Sequence, residues 1–296
     1  MRAKVRAQNA VSVRRRYIRA AATVGLVGAA LTLAGCTTQQ RQQWERGGLP
    51  APATVQGHTT LNLWQGSWVL ALIVGVFTWG LIGFAVVAYR RRAGNEYPVQ
   101  TQYNIPIEIL YTVVPIVIVA GLFYFVQRDQ NYLTKIDNTQ KNTISVIGFK
   151  WNWGFNYLTS TGEPIAYDVG TPNAPANLYL PVNEKVKFEL TSPDVIHSFW
   201  VPAFLFKMDV IPGRRNVFEL TPNKLGTFSG KCAEFCGEDH SRMLFNVHVV
   251  TQAEYDAHMQ ELVARGQSGL LDTGRVIVTK NPSFRGNTTT GQGSTE

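Results

Sequence analysis

The chain has only three cysteines in 296 residues, and charged side chains make up just 16% of it. Soluble proteins carry about 25% charged residues, whereas 45% of this chain is hydrophobic. That balance excludes a disordered chain and a wholly soluble basic one. Cys36, Cys232 and Cys236 are too few for a disulfide scaffold. Acidic residues are missing from residues 1–35, where seven cations fall: Arg2, Lys4, Arg6, Arg14, Arg15, Arg16 and Arg19. Most of the formal net charge of +8 therefore sits in a leader, and the remaining 21 cations face 20 acids. A nucleic-acid surface spreads its charge over a folded face, so no nucleic-acid partner is expected.

Residues 1–35 read as a signal peptide. A cationic stretch ends at Arg19, an apolar run follows from Ala20 to Leu33, and Leu33-Ala34-Gly35-Cys36 closes it. Small residues just before a cysteine resemble the lipobox of bacterial lipoproteins, in which Cys36 would take the lipid and become the mature N-terminus. The alternative is an ordinary signal peptide with an incidental cysteine. Arg14-Arg15-Arg16-Tyr17-Ile18-Arg19 also resembles a twin-arginine signal, which leaves the export route open. Residues 36–64 are polar and broken by Gly47, Gly48, Pro50 and Pro52, the pattern of an extracytoplasmic tether.

Residues 65–127 hold two apolar runs, about 68–89 and 107–126. A hydrocarbon core of about 30 Å needs roughly 20 apolar residues in a helix, so both can span a membrane. Trp64, Trp68, Tyr89, Tyr103, Tyr111 and Tyr124 lie near the ends, as interfacial anchors do. Pro115 falls inside the second run, where a membrane helix tolerates it. Arg90-Arg91-Arg92 marks the loop between the spans as cytoplasmic. The C-terminal part is then extracytoplasmic.

From Asn142 the pattern turns to short runs rich in Val, Phe and Ile. Thr143–Phe149, Lys185–Leu190, Asn216–Leu220 and Leu244–Val250 read as strands of a sandwich or barrel within a domain over 128–266. Thr251-Gln252-Ala253-Glu254 is a capping box. It opens a helix with Tyr255, Met259 and Leu262 on one face and Gly266 as its stop. Residues 267–296 read as a flexible tail, in which Val276-Ile277-Val278 has the makings of one more strand.

The chemistry is concentrated between Cys232 and Met243, in the order Cys232, Cys236, His240, Met243. The whole chain has five His and four Met, so this clustering is not chance. Thiolates, imidazole and thioether make a soft ligand set that selects copper over hard cations. His197, in a loop-like stretch after a strand, supplies a second imidazole. A disulfide between the two cysteines suits an oxidising compartment, structural zinc leaves Met243 unused, and a mononuclear blue copper site leaves one cysteine over. Two thiolates bridging two copper ions use the whole set, with one histidine per ion, Met243 on one side and a backbone carbonyl on the other. His58, His248 and His258 read as bystanders.

Cys232-x-Glu234-x-Cys236-Gly237-x-x-His240-x-x-Met243 with His197 upstream resembles the CuA motif of cytochrome c oxidase subunit II. The resemblance covers roughly residues 65–265. Lys150-Trp151-Asn152-Trp153, Asp194 to Pro202, and Lys207 to Arg214 resemble further stretches of that family. It implies a two-helix transmembrane hairpin carrying an all-β cupredoxin-like domain, placed in a bacterial cell membrane with its C-terminal domain outside. It also implies that a dinuclear copper centre accepts electrons from cytochrome c and passes them to the haem and copper centres of subunit I, where O2 is reduced to water with proton translocation. Subunit III would be a further partner, and no complete active site is expected in this chain alone.

Residue by residue, the resemblance implies copper ligation by His197, Cys232, Cys236, His240 and Met243, and by the backbone carbonyl of Glu234. The Glu234 carboxylate would reach a Mg²⁺ ion at the contact with subunit I. Trp151 would be where electrons enter, although Trp153 competes with it and either could be a core residue. Asp194 matches an acid near the cytochrome docking surface, with Pro193 beside it where relatives often carry a second acid. Glu108 would stand at the entrance of a proton channel through subunit I; a plain helix cap is the other reading. Quinol oxidase subunit II lacks the copper ligands, nitrous oxide reductase lacks the two spans, and a zinc- or disulfide-stabilised receptor domain would keep the β fold without redox work.

Overall fold

The computed structural model describes residues 23–25, 37–90, 100–171 and 174–272. Cys36, Arg91, Arg92, the Val276–Val278 run and, apart from residues 23–25, the expected signal peptide lie outside the described residues. The chain divides into two units, 1–49 and 50–296. In the first, helix α1 (Thr38–Glu45) starts on a capping box in which the Thr37 hydroxyl accepts from Gln40 N–H while Gln40 Oε1 accepts from Thr37 N–H. The expectation of an unstructured tether over 36–64 is therefore corrected at its start, where that box satisfies the first amides of a short polar helix.

The tether is corrected more fully at residues 50–64. Ala53 and Thr54 are completely buried in the second unit. Ala53 N–H donates to Ala203 O at 2.8 Å, Val55 N–H to Thr221 O at 3.0 Å, and the Thr54 hydroxyl to Phe204 O at 3.2 Å. Thr54 is also the N-cap of helix α2 (Val55–Ala88), and its hydroxyl accepts from Gly57 N–H at 3.0 Å. The cap thus seats the first turn of the helix directly on the β domain. At Gly57 a Cβ would lie 2.9 Å from Phe204 O, so only glycine lets the helix approach this closely.

α2 and helix α3 (Ile105–Leu133) have 34 and 29 residues, about 51 and 44 Å of helix. Both overrun the expected spans of 68–89 and 107–126, because polar helix formers such as Gln56, Asn62, Gln127 and Gln130 continue each helix beyond the apolar stretch. Their most apolar windows are entirely unburied, as in helices that face lipid. Pro115 sits within α3 as expected. At the other junction, Glu219, nearly fully buried, accepts from Asp137 N–H at 3.2 Å and Asn138 N–H at 3.1 Å. Lys185 closes that corner through its ion pair with Asp137.

The β domain has ten strands among the described residues, against the four read individually from sequence. They are β1 (Asn142–Phe149), β2 (Asn152–Thr159), β3 (Pro164–Val169), β4 (Ala176–Pro181), β5 (Val186–Thr191), β6 (His197–Val201), β7 (Phe206–Val210), β8 (Asn216–Leu220), β9 (Gly226–Cys232) and β10 (Leu244–Val250). One sheet runs β3-β2-β1-β5-β8 and the other β4-β10-β9-β6-β7. Pairing is antiparallel except for β1 with β5 and β10 with β4. β5 shows the alternation of a half-buried strand: Val186, Phe188 and Leu190 point inward, while Lys187 and Glu189 face out and pair at 3.3 Å. Between the sheets Phe155 packs against Phe245 at 5.5 Å, and Phe188 against Phe199 at 5.9 Å. The two-helix hairpin and the all-β domain are both as expected.

Helix α4 (Gln252–Ala264) has the expected capping box and buries Tyr255, His258, Met259 and Leu262. Gly266, at φ +78°, ends it. The flexible tail is corrected at its first residues. Tyr167 N–H donates to Gln267 O at 2.9 Å, and Leu271 N–H to Asn156 Oδ1 at 2.8 Å. Leu271 itself is buried against Ile147 and Phe149, an apolar anchor within a polar stretch.

His248 and His258 lie on either side of Tyr179, stacked at 4.6 and 3.6 Å. Burial pushes both histidines below their ordinary pKa by disfavouring the charged ring, and Asp168 opposes it. A histidine depressed in the fold binds its proton more readily when unfolded. Burial of the neutral rings therefore leaves the domain at full stability above about pH 6.5, and stability is lost as pH falls below that value. His258→Gln is expected to make the melting temperature less dependent on pH between about 5 and 7; an unchanged acid-side slope would refute this.

Candidate metal centre

His197 opens β6 and Cys232 closes β9, and those strands pair directly, with Phe199 opposite Cys232. The chain then loops through residues 233–239, makes a 3-10 turn over His240–Arg242 and enters β10. Cys232 N–H donates to Met243 O at 3.0 Å and Ala233 N–H to Ser198 O at 3.0 Å, so both ends of the loop are tied to the sheet. Two tryptophans brace it from β1 and β2. Trp153, fully buried, donates its indole N–H to Met243 O at 3.3 Å. Trp151, half-buried in the turn between those strands, donates to Cys236 O at 3.2 Å. Gly237, at φ +125°, lies beneath that indole, and a Cβ there would come within 3.0 Å of it.

The loop gathers six donor atoms. Cys232 Sγ lies 3.9 Å from Cys236 Sγ, 3.9 Å from His197 Nδ1 and 3.2 Å from Glu234 O. Cys236 Sγ lies 3.5 Å from His240 Nδ1 and 3.7 Å from Met243 Sδ. His197 and Met243 are essentially inaccessible, and both cysteines are buried and free of any disulfide. Bonds of about 2.3 Å to thiolate and about 2.0 Å to imidazole put neighbouring ligands of a tetrahedral ion about 3.5–3.8 Å apart. The donors stand at coordination spacing, and His197, Cys232 and Cys236 form one group within 4.8 Å. Two adjacent thiols with an imidazole and a weaker donor for each of two ions fit a thiolate-bridged metal pair.

Protonation points the same way. The adjoining Cys236 S–H, with His197 and backbone groups at Glu234 and Ser198, pulls the Cys232 thiol down to about 3 against the opposing effect of burial. The Cys232 thiolate beside it, reinforced by burial, pushes Cys236 far up. Without a metal the pair gives up one proton readily and keeps the second. Thiol ligands must be deprotonated to bind, so bound cations would remove the charge repulsion that holds that proton.

Asp194 requires a correction. Expected at a docking surface, its carboxylate turns inward. Oδ1 lies 2.8 Å from His197 Nε2 and accepts from Val195 N–H at 2.6 Å, and Oδ2 accepts from Lys150 N–H at 2.7 Å. Burial raises its pKa, but these hydrogen bonds outweigh it and hold the group below the usual carboxylate range. For His197, burial lowers the pKa, and the hydrogen bonds to Asp194 and Cys232 more than reverse that. A hydrogen bond from Nε2–H to Asp194 leaves Nδ1 with its lone pair towards the sulfurs, the orientation given by carboxylate partners of metal-binding histidines.

Residues 171–250 match the family model described as cytochrome c oxidase subunit II, periplasmic domain. A probable cytochrome c oxidase subunit 2 of Streptomyces avermitilis is 46% identical over 295 residues, covering 88% of this chain and 91% of that protein. The chain belongs to the cytochrome c oxidase subunit II family. Subunit 2 of Mycobacterium tuberculosis H37Rv is 33% identical over 307 residues, covering 84% of this chain and 83% of its own length. The periplasmic domain of Bradyrhizobium japonicum subunit II, a crystal structure, is 29% identical and covers 43% of this chain and 96% of its own, with a TM-score of 0.39. The chain is thus one component of a haem-copper oxidase, a membrane protein with an extracytoplasmic domain.

Within this subunit II fold the remaining predicted residues lie apart from the cluster or at its rim. Glu234 is exposed, beside Phe235 at 78% exposure. Glu108 is in the first turn of α3, and its carboxylate accepts Asn104 N–H at 2.9 Å, which is a helix cap. Sequence reasoning missed Asp194 and Trp153 as supports of the site. The i, i+3 spacing of Asp194 and His197 was the available signal for the first, and the Trp151-x-Trp153 alternation for the second. Asp194→Ala is expected to weaken metal binding about 10–100-fold, read by titrating the protein with copper against a competing chelator. Unchanged affinity would refute the positioning role.

Proposed function

We propose that this subunit accepts electrons one at a time from cytochrome c and hands them to subunit I, using a dinuclear CuA centre held by His197, Cys232, Glu234 O, Cys236, His240 and Met243. The observation that carries this reading is the convergence of all six donors at coordination spacing in a subunit II chain. When bound, the copper pair supplies a one-electron store shared over two bridged ions, so bond lengths change little on reduction. Cys232 and Cys236 would hold both ions, burial keeps water from the sulfurs, and Asp194 keeps His197 in one tautomer. Trp151 is the point where electrons enter. Supporting this are its partial exposure and its direct hydrogen bond to the Cys236 carbonyl, which link the domain surface to a ligand backbone.

The exposed Glu234 carboxylate, on the residue whose backbone carbonyl faces the Cys232 sulfur, would reach a Mg²⁺ ion at the contact with subunit I. Subunit III completes the core complex. Export through the signal peptide at 1–35 and lipidation at Cys36 anchor the N-terminus in a bacterial cell membrane. Glu108 gives protons access to a channel in subunit I. Its place in the first turn of α3, at the end facing away from the β domain, supports that assignment.

Copper loading of the full chain followed by EPR tests the centre. An electron shared equally by two copper nuclei is expected to give a seven-line hyperfine pattern; four lines, or no uptake of copper, would overturn the reading. Glu108→Gln keeps an oxygen to accept Asn104 N–H. It is expected to slow oxygen turnover of the assembled oxidase while reduction of copper by cytochrome c is unchanged. Equal slowing of both steps would refute the proton role.

A further inference from the structure

The two membrane helices leave a groove between them over the half of the hairpin nearer the β domain. It encloses about 400 Å³ and is lined by Gly66, Leu70, Val117, Ile118, Gly121 and Phe125, with Asn62, Arg128 and Asp129 at one end. Those last three also line a second cavity of about 350 Å³, together with Thr59 and Tyr132. The space therefore has an apolar limb inside the membrane span and a polar limb where the helices leave it. That is the shape of an amphiphile.

Three further observations limit the occupant. Glycines facing one another in paired membrane helices ordinarily allow close backbone approach, yet a Cβ at Gly66 or Gly121 would meet nothing within 4 Å. Here the small residues keep a gap open. From Val117 to Arg128 the groove runs about 16 Å along α3, close to half of a hydrocarbon core of about 30 Å. The space over that length, about 400 Å³, is elongated along the helix, as a hydrocarbon chain requires.

The polar end carries an ion pair whose cation is the exposed partner. Arg128 Nε and Nη2 both lie 2.8 Å from Asp129 Oδ1, and the guanidinium stands 5.1 Å from the centre of the Phe125 ring. Asp129 is buried, while the Arg128 side chain remains 57% exposed. With Nε and Nη2 turned to Asp129, the exposed end of the guanidinium is what remains to donate to a phosphate oxygen. We propose that the groove holds one phospholipid of the outer leaflet, with its phosphate at Arg128 and one acyl chain lying between Gly66 and Gly121.

The test uses the purified, assembled oxidase. After exhaustive detergent washing, bound lipid is extracted, identified and counted per complex by mass spectrometry. Gly121→Leu, whose side chain fills the apolar limb, is expected to retain one phospholipid fewer than the wild type with all subunits present. Arg128→Gln, which removes the phosphate contact and leaves the apolar limb intact, is expected to lower phospholipid retention as well, and it decides the matter if Gly121→Leu does not assemble. Unchanged lipid counts in the assembled variants would overturn the proposal. So would loss of a neighbouring subunit at constant lipid count, which would mean that protein fills the groove, or recovery of a phosphate-free amphiphile from it.

Discussion

Two cysteine sulfurs held 3.9 Å apart in a buried loop set the terms for the rest of this domain. Removed from water, two thiolates repel each other, and a loop carrying them unassisted would open. The surrounding structure prevents that with connections that do not depend on the sulfurs. Cys232 is fixed to Met243 through the backbone, Cys236 is hung from the Trp151 indole, and the far end of the loop is fixed to Trp153. Because the frame is built from strands rather than from the ligands, the donors are already close to coordination spacing. Little rearrangement then accompanies metal binding or a change in its charge, and little rearrangement is what rapid electron transfer requires.

The same economy governs the histidines. His197 is fully buried, and a buried imidazole free to flip would present either nitrogen. Asp194 removes the choice, and its own carboxylate is fixed by Lys150 N–H and Val195 N–H. The route from loop sequence to metal ligand thus passes through an acid that never touches the metal-facing atoms. By contrast His248 and His258 are stacked on Tyr179 in another part of the domain.

How much of this could be read in the sequence depended on distance along the chain. The proposed ligands from Cys232 to Met243 are local, and their spacing points to a shared site before any fold is known. The capping box at Thr251 and Glu254 is equally local, and the helix followed. What escaped depends on contacts between remote segments. Thr54 is buried because it meets Phe204, 150 residues away, so its polar neighbourhood read as a tether. Leu271 is anchored through Asn156, 115 residues away, in a stretch whose composition resembles a loose tail. For Asp194 the sequence offers only its i, i+3 spacing from His197, which does not say whether it faces solvent or a buried imidazole. Only the fold decides that.

The two junctions with the membrane helices have a mechanical consequence. α2 begins on a cap hydrogen-bonded into the β domain, and α3 ends in a corner held by Glu219. The domain therefore stands on two stems, not on one hinge. A single stem would let it swivel, and tunnelling probability falls exponentially with separation, so even small swivelling would spread the transfer rate over a wide range. Two stems fix the height and heading of the cluster above the bilayer. They make the length of the electron's jump a property of the fold rather than of chance encounter.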